Sequence, residues 1–339
     1  MVAALNAFRP DWVSPPGATI ASLLSQKNLT VADFADELGQ PSEWIEALIA
    51  GNQRITNDLA EQLSATLGAS TSFWLQREAD FRQEAQVHAA IRSEQDWIGQ
   101  LPVRQMINFG WLPDARTAPE KVRNCLAFFG VGSISEWQAK YSGALSAAAF
   151  RSSDSFKQQP EAVAAWLRKG ELEADAMTCN SWDAESFRAS LPAIRRLTLL
   201  RDPQVFLPQL QEICSRSGVA VVIVRPPTGC RASGATRFIA DDKAMILLSF
   251  RHKTDDHFWF TFFHEAGHLL MHTDDAIFIE GLTEITTDEE DEADQFAQDI
   301  LIPEAFRDEL QNLLPRYKDV LRFAVKVGIT PGIPSPLSN

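Results

Sequence analysis

Phe258-Trp259-Phe260-Thr261-Phe262-Phe263-His264-Glu265-Ala266-Gly267-His268-Leu269-Leu270-Met271-His272 is an apolar, helix-length run with His-Glu-x-x-His inside it. On a helix, residues four apart lie on one face, so His264 and His268 can aim imidazole nitrogens at a single ion. Glu265 sits one position round from the first of them. From there it reaches a water on that ion more easily than the ion itself, which is the place of a general base. The bland alternative is a buried helix with incidental polar residues, but two unliganded histidines in so apolar a segment would be costly. The run predicts a hydrolase helix with zinc as cofactor.

A third ligand is expected downstream. Thr286 to Pro303, TTDEEDEADQFAQDILIP, reads as a helix with an acidic first turn, capped by Thr287 or Asp288 and stopped by Pro303. Ala293, Phe296, Ala297 and Ile300 form its buried stripe. Glu290 and Asp294 are four apart on the same side as that stripe. Glu290 is therefore the expected zinc ligand, and Asp294 the acceptor for a ligand histidine's remaining N–H. Glu289 falls off the stripe and Glu292 points away from it. Most of these carboxylates are a solvated helix start.

The segment from about Phe187 to Pro303 resembles the ImmA/IrrE family of metallopeptidases. The matching pieces are SGATRF at Ser233–Phe238, ILLSFRHKTDD at Ile246–Asp256, the FWFTFFHEAGHLLMH block, and EDEADQFAQDILIP at Glu290–Pro303. The resemblance implies a gluzincin-like fold, zinc on His264, His268 and Glu290, and Glu265 as the base. It also implies restricted proteolysis or a regulatory role.

Composition is that of an intracellular regulator rather than a secreted or membrane protein. The chain has 339 residues, 45% of them hydrophobic, and a formal net charge of −14. No stretch approaches an uninterrupted apolar span, and MVAALNAFRPDW lacks the features of a signal peptide. Cys125, Cys179, Cys214 and Cys230 are scattered, without a CxxC pair, as reduced cytoplasmic thiols would be. Cys230 precedes SGATRF, where a thiol either closes the metal's open position or is simply buried.

The N-terminal residues carry a second pattern. Short helices are expected from Pro16, at Leu29–Leu38, Pro41–Asn52, Thr56–Leu67 and Ser70–Phe81, with Thr30 as a cap and Gly39 as a turn glycine. Residues 1–86 resemble a five-helix XRE-type helix-turn-helix domain of HigA-like antitoxins. Their charge is unusual for a DNA reader: 5 Lys/Arg against 11 Asp/Glu, a net of −6. Phosphate contacts supply much of the affinity for a duplex, and a negative domain opposes them. Lys27, Ser42, Glu43 and Arg54 are the candidate DNA contacts. Either these suffice for a specific operator, or the domain serves a protein partner or a homodimer.

Residues 87–185 read as a helical middle region punctuated by tryptophans and prolines, without a catalytic constellation. A helix at Val205–Ser217 and strands at Val219–Val224, Thr236–Ile239 and Ala244–Ser249 lead into the zinc helix. An extended substrate is expected to add beside Thr236–Ile239. The tail GITPGIPSPLSN, residues 328–339, reads as disordered. The expected architecture is α+β and mainly helical: a helix-turn-helix domain at 1–86, the middle region, and a metallopeptidase domain with a small sheet at 186–327. The expected function is regulatory proteolysis of a transcriptional repressor in a stress, phage or toxin–antitoxin response. The alternative is a DNA-binding regulator or antitoxin whose zinc domain senses or binds a partner without cutting it.

Overall fold

The computed structural model describes residues 14–141, 159–250, 255–272, 278–279, 287–314 and 316–332. The chain divides into two compact units, Met1–Asp96 and Trp97–Asn339.

The first unit is built from α1 (Pro16–Lys27), α2 (Val31–Leu38), α3 (Ser42–Ile49), α4 (Asn57–Leu67) and most of α5 (Thr71–Gln100). Thr30 and Asp33 form a reciprocal cap on α2: the Asp33 amide donates to Thr30 Oγ1 at 3.1 Å, and the Thr30 amide donates to Asp33 Oδ2 at 2.9 Å. Gly39 ends α2 at φ +64°, in the left-handed region where a Cβ is strained. Ile20, Phe34, Ile45, Leu48, Leu63 and Trp74 are buried together and hold the helices. α1 crosses α3 so closely that a Cβ on Gly17 would lie 2.0 Å from the Ile49 carbonyl oxygen. The helix expected at Ser70–Phe81 runs on to Gln100, because no Gly or Pro interrupts it before Gly99.

The second unit contains a four-stranded sheet in the order β1-β3-β2-β4. Its strands are β1 (Val219–Ile223), β2 (Gly234–Ala240), β3 (Lys243–Leu248) and the two-residue β4 (Phe278–Ile279). β1 runs parallel to β3, while β2 is antiparallel to both β3 and β4. Strand alternation sends Val219, Val221, Ala244, Ile246 and Leu248 into one core and Ala220, Val222, Met245 and Leu247 into another. Both faces are covered, which is why VAVVI and AMILL read as unbroken apolar runs.

α9 (Ala184–Leu197), α10 (Pro203–Ser215) and α11 (Asp255–Met271) share the first core. The second core is closed by α8 (Pro160–Ala176), whose Trp166 donates from Nε1 to the Val224 carbonyl at 2.9 Å. The sequence groups α8 with the middle region, yet it forms one layer of the sheet domain. A Cβ on its Gly170 would stand 2.6 Å from Leu247 Cδ2, so the helix lies directly on β3. α6 (Val103–Asn108) and α7 (Ala118–Phe129) pack with Trp97 and Trp137 in a further cluster that also takes in Ala164 and Ala165 of α8. Middle-region residues are thus joined to the sheet by a shared helix rather than strung out as a linker.

Two other expectations are corrected. Ile329 and Thr330 are buried, with Ile329 packed on α13 (Tyr317–Val327), so the C-terminal tail is ordered at least to there; residues 333–339 lie outside the described part. Beside β2, β4 already pairs with Ala235 and Thr236, so a substrate strand is not free to add along the whole of Thr236–Ile239. No helix among the described residues is long and apolar enough to cross a membrane.

Gly17→Ala is expected to destabilise the first unit by roughly 3 kcal/mol, the upper end of ordinary overpacking, because the obstacle is backbone and cannot rotate away. Urea unfolding followed on Trp74 fluorescence measures this. An unchanged midpoint would show that α1 does not sit against α3 as described.

Candidate metal centre

α11 is fixed by its apolar faces: Phe258, Trp259, Phe262, Phe263, Ala266 and Leu269 are all buried in the core beneath the sheet. That leaves the side bearing His264 and His268 to meet α12 (Thr287–Leu301). α12 already includes Thr287, so neither Thr287 nor Asp288 precedes the helix as the expected cap, and the residues before Thr287 lie outside the described part. Ala293 and Ala297 are fully buried and Phe296 packs against the same core, which seats α12 by the stripe that its sequence suggested. The helices approach at Gly267, where an added Cβ would stand 3.1 Å from Phe296 Cδ1 and 3.3 Å from Ala293 Cα.

The crossing gathers one ligand atom each from His264, His268 and Glu290 within 4.8 Å of one another. His264 Nε2 and His268 Nε2 are 3.0 Å apart, and Glu290 Oε2 is 3.3 Å from His264 Nε2. Asp294 Oδ1 lies 2.8 Å from His264 Nδ1. A carboxylate only accepts, so His264 donates from Nδ1 and turns Nε2 toward His268 and Glu290. Glu290 Oε1 is buried without a hydrogen-bond partner among the described residues. An orphaned carboxylate oxygen beside two imidazole nitrogens fits a divalent cation, and two nitrogens with one oxygen are a donor set that suits zinc.

Glu265 is fully buried on the same helix. It lies against β2 at Gly234, where a Cβ would come within 2.4 Å of its Oε1 and 2.6 Å of Thr261 Cγ2. The glycine of SGATRF thus makes room for the carboxylate, a role its place in the sequence does not disclose. Glu289 and Glu292 are outside the three-ligand group; Glu292 instead meets His272. His272 and Glu292 carry a contact that sequence reasoning missed, although a third histidine four residues after His268 was a visible signal. Cys230 is buried in the cluster on the sheet face opposite α11.

The electrostatics follow from burial and neighbours. Burial alone would lower His264, but hydrogen bonds to Asp294 and Glu290 and the charges of Glu265 and Glu290 outweigh it and raise its pKa. Burial, with the charge of His264 beside it, lowers His268. Without an ion, the surrounding carboxylates therefore favour a proton on His264.

Residues 216–333 match the family model of the IrrE N-terminal-like domain, Peptidase_M78. The match takes in the sheet, α11, α12 and every residue of the metal group. It leaves out α8, α9 and α10, which pack on the same sheet. No curated protein matches the chain.

The candidate DNA contacts belong to the other unit. Lys27 donates from Nζ to the Thr66 carbonyl at 2.9 Å. Ser42 is half-buried, while Glu43 and Arg54 are exposed.

Metal binding must expel the His264 proton, so affinity should rise by about tenfold per pH unit above 6.5, the ordinary imidazole value, for as long as His264 remains protonated in the metal-free chain. Chelator competition at a series of pH values measures it. A flat profile would mean that His264 carries no proton in the metal-free chain over that range.

Proposed function

We propose that residues 97–332 form a zinc-dependent endopeptidase of narrow specificity, acting on a regulatory protein such as a transcriptional repressor. The observation that carries this reading is the three-ligand group with buried Glu265 beside it. When bound, the ion supplies Lewis-acid chemistry, acidifying water and polarising a scissile carbonyl. Glu265 takes the proton of the attacking water and returns it to the leaving amine. Gly234 keeps that carboxylate in place, and Asp294 holds His264 with Nε2 available. A metal kept only for structure would need no carboxylate buried at its side.

Glu265→Gln should keep zinc and lose about 100- to 10,000-fold in cleavage, the range that general acid–base catalysis contributes. The same variant serves as bait: the protein it retains from cells is tested as a substrate of the wild type. Full activity in Glu265→Gln, or digestion of bulk casein at the rate of a digestive protease, would defeat the proposal.

For the first unit we propose recognition of a protein partner or of a second copy rather than of arbitrary DNA. Three of its cations are already engaged: Lys27 with Thr66, Arg77 with the Ser14 carbonyl at 2.8 Å, and Arg82 with Glu78 at 2.7 Å. Glu43 and Glu46 are exposed on α3, where a duplex would approach if α3 were a reading helix. No binding to random duplex is expected at about 0.1 M salt, and Trp44→Ala should weaken self-association or capture of the partner. Tight, steeply salt-dependent binding to any duplex would reverse this assignment.

A further inference from the structure

His272 follows His268 by four residues at the end of α11. Its Nδ1 lies 3.1 Å from His268 Nδ1, and its Nε2 lies 3.0 Å from Glu292 Oε2 on α12. The His272 side chain is 9% exposed, whereas that of Glu292 is 64% exposed. The hydrogen bonds form a chain whose direction is set by the group at its end. The Glu292 carboxylate can only accept, so His272 donates to it from Nε2. A neutral imidazole has one N–H, which leaves His272 Nδ1 as an acceptor. His268 then donates from Nδ1 and keeps a lone pair on Nε2, the atom that faces His264 Nε2.

We propose that His272 and Glu292 are a positioning pair: they hold the His268 ring and its tautomer so that Nε2 is ready for the metal. The inference rests on the metal reading above. It makes the site two-sided. Asp294 sets His264 directly, while Glu292 sets His268 through His272, and both carboxylates follow Glu290 on α12. His272 is not a fourth ligand in this arrangement, because both of its ring nitrogens are engaged with His268 and Glu292. Groups that orient a metal's histidines typically account for about 10- to 100-fold in metal affinity.

The test is zinc affinity of the full chain, by competition with a chromophoric chelator, in wild type, His272→Ala, Glu292→Ala, Glu292→Gln and His264→Ala. His272→Ala should weaken zinc by about 10- to 100-fold. Glu292→Ala should shift it the same way by less, and Glu292→Gln should recover part of the loss because an amide oxygen still accepts from Nε2–H. Histidine 15N spectra of the zinc-loaded protein should show His268 protonated at Nδ1 in wild type, with that proton exchanging faster in His272→Ala. Glu292 is largely exposed, so its variants report even if His272→Ala fails to fold. Wild-type affinity in both His272→Ala and Glu292→Ala overturns the proposal while leaving the metal reading intact. Loss in His272→Ala as complete as in His264→Ala overturns it too, by making His272 a ligand. A wild type that takes up no zinc defeats the metal reading and this inference with it.

Discussion

Where α11 crosses α12, the backbone of Gly267 stands so near Ala293 and Phe296 that one added methyl would press on both. That closeness lets Glu290, a side chain of ordinary length, reach His264 across the gap between two helices. A wider crossing would leave the carboxylate short of the imidazoles and would open the site to water. The apolar stripe of each helix therefore does more than fill a core. It sets the distance at which three polar side chains meet, and close-packed interiors hold such distances firmly.

A site of this kind is unfavourable until something positive enters it. In the metal-free chain the neighbouring carboxylates outweigh burial and raise the pKa of His264, while burial and the charge of His264 lower that of His268. The acidic first turn of α12 contributes on two scales. It places carboxylates at the positive end of the helix dipole and brings Glu290 to the imidazole cluster, which the next turn joins with Glu292 and Asp294. One short acidic stretch thus serves helix stability and the site together.

The sheet carries the remaining constraint. β2 must pass close enough to α11 for Gly234 to lie against Glu265, and β2 is held there by β3, whose other neighbour is β1. α8 closes the far side with Trp166 and with Gly170 lying on Leu247. Residues far outside the His-Glu-x-x-His motif, and outside the stretch that matches Peptidase_M78, therefore take part in locating Glu265. The first unit is organised separately, by caps at Thr30 and Gly39 and by a glycine at the contact of α1 with α3.

That His264 and His268 share one face was legible in the sequence, because helical spacing alone puts residues four apart side by side. Glu290 and Asp294 were legible because the buried stripe of α12 fixes which carboxylates share its side. The strands and the short N-terminal helices were legible because apolar runs and caps are local signals. The attachment of α8 to the sheet, the ordered Ile329 and the β4 pairing on β2 were not, since each depends on contacts between segments distant in the chain. The same holds for Gly234, whose lack of a side chain acquires meaning only against Glu265, and for Glu292, which pattern reading turned outward but which the structure bonds to His272. Periodicity determines which face of a helix a residue occupies. What stands opposite that face is decided by how the helices and strands pack, because spacing along one element carries no information about its neighbour.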